Sequence, residues 1–272
     1  MTARPDPTDP STRPIGWLRC FVGIARRDLV RFVLQRGRFF SALVRPLVWL
    51  FVFAAGFRSV LGVSIIPPYR TYVPYEVYVT PGLAAMILLF GGMQSSLSMV
   101  YDREMGSMRV LLTSPFPRWF LLTSKLVAGV VVCVVQVYVF LLVAWFWEVR
   151  GPALGYLTVL PALVLAGAML GAIGLVLSSA IRQLENFASV MNFVIFPMFF
   201  TSSALYPLWK VEEASPLLYR ICLANPFTHA VELIRFALHG RFEPTAFAVV
   251  AGTTLLAMAV AIAAYDPARR RG

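Results

Sequence analysis

Residues 126–146 read LVAGVVVCVVQVYVFLLVAWF, a continuous apolar run with no charged side chain. Its length matches the about 20 apolar residues that a helix needs to cross a hydrocarbon layer. A barrel strand would instead alternate apolar and polar positions over about 10 residues. Working outward from this run, five further blocks of the same character lie at 43–61, 80–100, 156–181, 187–205 and 245–265. The whole chain agrees: of 272 residues 59% are hydrophobic and 14% charged, with a mean hydropathy of +0.75. A soluble domain carries about 25% charged residues, so that class is excluded. The expected fold is an all-α integral membrane protein with six transmembrane helices. It divides into an N-terminal segment over 1–38, a six-span domain over 39–265 and a basic tail over 266–272.

The block at 43–61 is the least regular, because it carries Arg45 and Arg58. Thirteen residues of helix separate them, about 20 Å, so each guanidinium is expected to snorkel to its own interface. The other charges set the orientation. Lys+Arg total 24 against 13 Asp+Glu, a formal net charge of +11. Segments 1–38, 101–125, 182–186 and 266–272, which share one side of a six-span chain, hold 16 basic and 7 acidic residues. The positive-inside bias therefore places both termini in the cytoplasm. The first 14 residues are polar and Pro-rich, unlike a signal peptide. Cys20, Cys133 and Cys222 fall on the cytoplasmic side, within the membrane and outside respectively, which leaves no disulfide framework.

Residues 17–38 have helical periodicity. Leu18, Phe21, Val22, Ala25, Leu29, Phe32 and Val33 form an apolar stripe, and Arg19, Arg26, Arg27, Arg31 and Arg38 cover the rest. This pattern predicts an amphipathic helix in the cytoplasmic interface, its arginines toward anionic lipid headgroups. It suits a simple membrane anchor or an element that moves during transport. Phe and Leu on the face that a nucleic-acid-binding helix keeps polar argue against nucleic acid as a partner.

The longest internal loop, 101–125, reads YDREMGSMRVLLTSPFPRWFLLTSK. Gly106 and Ser114-Pro115-Phe116-Pro117 break the chain on either side of residues 108–113, leaving a short stiff element suited to docking a soluble partner. On the other side of the membrane, 206–244 is too polar to span. Asn225-Pro226 supplies an N-cap followed by Pro at the first helical position, and Gly240 a C-terminal cap. Between them Ala230, Leu233, Ile234 and Ala237 form one stripe and Glu232, Arg235 and His239 another, which predicts a short external helix before the last span.

There is no G-x-x-x-x-G-K-[ST] stretch, so the chain does not cradle nucleotide phosphates by the P-loop route. No acidic residue lies well inside a predicted span, which weakens a proton- or sodium-coupled carrier. His229 and Glu232 share a helix face but lack a third metal ligand. No catalytic residue, metal site or bound cofactor is therefore expected. The mild polar groups within the spans are Gln94, Ser95, Ser96, Ser98, Gln136, Asn192, Thr201, Ser202 and Ser203. Their default role is hydrogen bonding between helices, and Gln94, Ser95, Ser98, Asn192, Thr201 and Ser202 are the candidates for lining a substrate route. Pro197 is expected to bend its span, and Gly167-x-x-x-Gly171 followed by Gly174 to permit close helix approach.

Three segments carry a family resemblance: Arg45-Pro46-Leu47-x-Trp49; Tyr101-Asp102-Arg103-Glu104-x-Gly106-Ser107-Met108 with Ser114-Pro115 and Arg118; and Asn225-Pro226-Phe227-Thr228-His229-Ala230 with Arg235 and Gly240. Over about residues 17–265 the chain resembles the membrane subunits of type-2 ABC exporters, the drug, lipo-oligosaccharide and polysaccharide export permeases. The resemblance implies two permease copies, identical or paired with a paralogue, docked on two cytoplasmic ABC ATPase subunits that bind ATP and Mg. It assigns Asp102, Arg103, Glu104, Gly106, Met108, Arg109, Ser114, Pro115 and Arg118 to the coupling segment, with 182–186 as a minor second contact. The arginine-rich helix becomes a cytoplasmic gate element, and the Asn225, Pro226, Glu232, Arg235 and His239 segment part of an external helix pair that shapes the exit. The expected setting is a bacterial cytoplasmic membrane. The expected activity is outward movement of an amphipathic, lipid-linked or drug-like substrate. A secondary transporter or channel, and a membrane enzyme using the Glu232, Arg235 and His239 stripe, are the alternatives.

Overall fold

The computed structural model describes residues 14–34, 36–57, 68–69, 73–104, 117–147, 149, 151–181 and 183–264. The described residues form helices and connections, with no β-strand. In chain order these are α1 (Pro14–Leu34), α2 (Arg36–Phe57), α3 (Tyr75–Glu104), α4 (Arg118–Phe146), α5 (Gly155–Ala180), α6 (Leu184–Phe200), α7 (Leu208–Ala214), α8 (Pro216–Ala224), α9 (Pro226–Leu238) and α10 (Pro244–Ala264).

Four of them are long and apolar enough to cross a membrane, through Tyr75–Tyr101, Trp119–Phe146, Gly155–Ala180 and Pro244–Ala264. The other two expected spans are shorter apolar helices, Ala42–Val52 within α2 and Leu184–Phe200. In α2 the apolar run is broken by arginines near the helix start. In α6 the helix closes at Phe200, where Thr201 N–H bonds to Pro197 O at 2.9 Å. Residues 201–205, expected to continue that span, instead turn back against α3. The loop expected at 101–125 is also shorter than its sequence suggests, because α3 runs on to Glu104 and α4 starts at Arg118.

α3 and α5 form the axis of the bundle. α3 packs on α5, α4, α2, α9 and α6, and α5 also on α10, α9 and α4. Lipid is as apolar as leucine, so packing contact rather than exclusion from water must hold such helices together. Glycines bring the axis together. A Cβ on Gly92 would lie 2.9 Å from Gly171 N, and one on Gly174 would lie 3.2 Å from Gly92 O and 2.4 Å from Ser96 Oγ. Ser96 Oγ donates to Gly92 O at 3.1 Å within its own helix. The close approach expected at Gly167, Gly171 and Gly174 is therefore present, and Gly92 is its counterpart on α3. α10, at the periphery, has 22% of its span buried against 67% for α3.

The segment before α10 holds three helices where the sequence reading gave one. α8 begins at Ser215, whose hydroxyl accepts from Leu218 N–H with Pro216 following, the same start signal as Asn225-Pro226. α9 has both predicted ends: Asn225 Oδ1 accepts from Phe227 N–H at 3.0 Å, and Gly240 takes φ 65°. Gly240 N–H bonds to Ala237 O and Arg241 N–H to Phe236 O, each at 3.0 Å, the pairing of a Schellman cap. Thr158 of α5 donates to Ala237 O at 2.6 Å, and Gly155 lies so close to Leu238 O that a Cβ would clash. The end of α9 thus rests on the start of α5.

α1 is helical as expected. Trp17 meets Phe120 at 4.7 Å and Trp119 at 5.9 Å between ring centroids, at the first turn of α4. Leu18 and Val22 of the apolar stripe are exposed, as are Arg19 and Arg26. The three cysteines are free, with Cys133 and Cys222 buried.

Replacing Gly92 by Ala is expected to cost about 1–3 kcal/mol, because the atoms its Cβ meets are backbone and cannot rotate away. Gly252, with nothing within 4 Å of its Cβ position, gains up to about 1 kcal/mol from the same change. Thermal unfolding of the two purified variants in detergent checks the contrast: equal midpoints would contradict the close α3–α5 contact.

Candidate functional site

The densest polar cluster lies where the start of α3, the turn after α6 and helix α9 meet. Arg235 is at its centre, with 2% of its surface exposed. Nη2 donates to Ser203 O at 2.8 Å, and Nη1 is paired with Glu232 Oε1 one turn earlier on α9. The guanidinium lies 4.2 Å from the centre of the Tyr78 ring, and the Tyr78 hydroxyl donates to the same Ser203 O at 3.1 Å. Tyr75 donates to Leu205 O. Tyr69 meets the His239 ring edge-on at 4.8 Å. The buried charge is therefore held by a carboxylate, a carbonyl and an aromatic face, the kind of compensation it requires.

A second set of bonds sews the α8–α9 corner to the end of α6. Asn225 Nδ2 donates to Met198 O at 2.7 Å, Thr201 O at 2.8 Å and Thr201 Oγ1 at 3.2 Å. Thr228 Oγ1 donates to Cys222 O at 2.7 Å. One asparagine thus caps α9 and holds the carbonyls freed where α6 stops after Pro197.

Burial pushes the Tyr69 phenol up to about 12, against an opposing pull from the Arg235 charge. Burial also lowers the His239 pKa, and the Arg235 and Arg241 charges add to this while its backbone hydrogen bond opposes it. His239 Nδ1 donates to Arg235 O at 2.9 Å, which places the proton of the neutral ring on Nδ1. Arg235 is pulled down by burial but carried above its ordinary value by Glu232, Tyr78 and Tyr69. The charges of Glu232 and Arg235 are spent on each other, and His229 Nε2 donates to Leu223 O at 3.0 Å. This is the bonding of a structural tether and leaves the Glu232, Arg235 and His239 stripe without a group poised for acid–base work.

Asn225, Pro226, Glu232, Arg235 and His239 are thus brought together as one unit. Tyr69, Tyr75 and Tyr78 join them and were not anticipated. Tyr75 and Tyr78 are spaced i, i+3, a spacing that puts two phenols on one helix face and was available in the sequence. The route candidates divide. Gln94 and Asn192 are exposed, and Ser95 is half-buried. Ser98 donates to Ser95 O at 2.7 Å, Thr201 to Pro197 O at 2.8 Å and buried Ser202 to Phe199 O at 2.6 Å, so these hydroxyls serve their own helices.

On the side predicted to be cytoplasmic, Asp102, Arg103 and Glu104 form the last turn of α3 and Arg118 the first residue of α4; their side chains lie outside the described residues. Gly106, Met108, Arg109, Ser114 and Pro115 are also outside them, as are Arg58 and the Arg31 side chain. Arg19, Arg26 and Arg27 are exposed on α1.

Arg235→Ala empties a buried position, leaves the half-buried Glu232 without its partner and is expected to destabilise the protein by about 3–5 kcal/mol; thermal unfolding in detergent reads it. His239 gives a pH dependence of definite sign. Its folded pKa lies below the ordinary 6.5, so its contribution is complete above that value and fades as pH falls toward the folded value. The melting temperature should drop between pH 7 and 5 by more in the native protein than in His239→Gln.

Comparison with known proteins agrees with this architecture. The family model described as ABC-2 type transporter matches residues 19–239. The putative transport permease ycf38 of Cyanophora paradoxa is 26% identical over 225 residues, 80% of this chain and 71% of the relative. That of Porphyra purpurea is 25% identical over 199 residues, covering 72% and 66%. The probable multidrug ABC transporter permease YbhR of Escherichia coli K12 is 29% identical over 170 residues, 61% of this chain and 45% of the relative. The matched region is thus about two thirds of the Porphyra relative and under half of the bacterial one. The family match covers most of the chain, including α2 to α9, and the chain belongs to the ABC-2 type transporter family as a multi-pass membrane transport subunit rather than an enzyme.

Proposed function

We propose that this chain is the permease of an ATP-driven exporter that moves an amphipathic, lipid-linked or drug-like substrate outward across a bacterial cytoplasmic membrane. The observation that carries the reading is the family match, which includes the whole segment between the ends of α3 and α4. Those two helices stop at Glu104 and Arg118, so whatever docks on residues 105–116 acts on two long helices, one of them the bundle axis. With no P-loop in this chain, the energy comes from a separate ABC ATPase carrying ATP and Mg. Two permease copies on two ATPase subunits complete the assembly.

In this reading α2 and α6 complete six crossings, tilted or in locally thinned bilayer because their apolar runs are short, and both termini face the cytoplasm. α1 lies in the cytoplasmic interface, with Arg19, Arg26, Arg27 and Arg31 toward anionic headgroups. Its Trp17 contact with Trp119 and Phe120 ties it to the start of α4, so motion delivered at the coupling segment reaches the gate helix directly. At the other end, the tether of Arg235 makes the α7–α9 segment follow α3.

Arg103→Ala and Glu104→Ala are expected to reduce ATP-driven transport by about tenfold or more, a loss of about 1.4 kcal/mol or more in coupling. Membrane insertion and melting temperature should be retained. Paired transport and ATPase assays on the assembled complex in vesicles check this; unchanged transport per ATP hydrolysed in both variants would contradict the coupling role.

A further inference from the structure

Arg45 does not sit where its sequence position suggests. Its guanidinium lies 4.0 Å from the centre of the Phe90 ring. Phe90 is fifteen residues from the Tyr75 end of its span and eleven from the Tyr101 end, about 22 and 16 Å along the helix. The contact is therefore close to the middle of the span. The arginine expected to snorkel to an interface is instead held at membrane depth.

It is also unpaired in charge. Among the described residues Arg45 meets no carboxylate within salt-bridge distance, in contrast to Arg235 with Glu232. Its side chain is exposed, on the face of α2 that carries the outward-pointing Val44, Val48, Phe51 and Val52. α2 packs inward through Leu43, Pro46 and Leu50. Gln94, one turn from Phe90 on α3, is exposed as well. A permanent cation at this depth is too costly to face bare hydrocarbon, and such groups face a wet cavity or an opposite charge. Guanidinium favours planar, bidentate pairing with phosphate or carboxylate.

We propose that Arg45, with the Phe90 face and Gln94 beside it, forms the substrate-recognition site for the anionic head of an amphiphile, a phosphate or carboxylate on an apolar tail. The inference rests on the export reading and deepens it by naming the charge of the cargo. Arg45 holds the head, Gln94 offers an amide to an oxygen of that head, and the apolar face of α2 accommodates the tail.

The test uses the purified chain in phosphatidylcholine nanodiscs with two probes of equal tail length, dodecyl phosphate and dodecyl maltoside. Dodecyl phosphate should bind native protein and Arg45→Lys at least tenfold more tightly than Arg45→Gln, while dodecyl maltoside binds all three alike. Equal dodecyl phosphate affinity in native protein and Arg45→Gln overturns the proposal, as does an equal loss of both probes, which marks a structural role. Phosphatidylglycerol added to the discs separates cargo from resident lipid. If it occupies the site in an Arg45-dependent way and excludes dodecyl phosphate, Arg45 is a lipid anchor and the proposal fails. Arg45-independent binding alongside intact ATP-driven export by the complex removes this inference alone. Arg45-dependent binding without any ATP-driven movement overturns the export reading and leaves the anion site standing.

Discussion

Inside a bilayer, an apolar side chain gains little by leaving lipid for protein, so helices stay together only where their surfaces approach closely enough for dispersion to add up. The bundle meets that constraint at the crossing of α3 and α5, where Gly92, Gly171 and Gly174 bring two backbones into contact. Every other described element except α1, α7 and α8 packs on one or both of these helices. The axis they form also joins the two ends of the bundle: α3 begins at Tyr75 and Tyr78 beside Arg235 and finishes at the Asp102-Arg103-Glu104 turn.

Two arginines show how differently the fold treats charge. Arg235 is buried, with both terminal nitrogens engaged by Glu232 and the Ser203 carbonyl and its plane on the Tyr78 ring. Its bonds stay within the molecule and hold α9 to α3 and to the turn after α6. Arg45 has an aromatic face and an open side. The first arrangement ties α9 to its neighbours, and the second leaves a cation on an exposed helix face.

Much of this was legible in the sequence, and the limits have physical causes. Long uncharged runs announced α3, α4, α5 and α10, because length and hydropathy alone decide whether a helix can cross. The caps of α9 were readable from Asn225, Pro226 and Gly240, since cap chemistry is local. Ser215-Pro216 carries the same local signal for α8. What could not be read was partnership across the fold. Nothing local says that Arg235 reaches Ser203, thirty-two positions away, or that Thr201 and Ser202 bond to the backbone where α6 stops. The partner of Arg45 is of the same kind: only the packing of α2 on α3 shows the ring it meets. The expected coupling residues 105–116 lie outside the described residues.

The bundle therefore has an axis with the Arg235 cluster at one end and the Glu104 and Arg118 helix ends at the other. The most direct measurement of this account is ATP-dependent movement of a labelled amphiphile in sealed vesicles containing the chain with or without a partner ABC ATPase. The account predicts movement only when both proteins and ATP are present. Movement by the chain alone, with neither ATPase nor ATP, would contradict it.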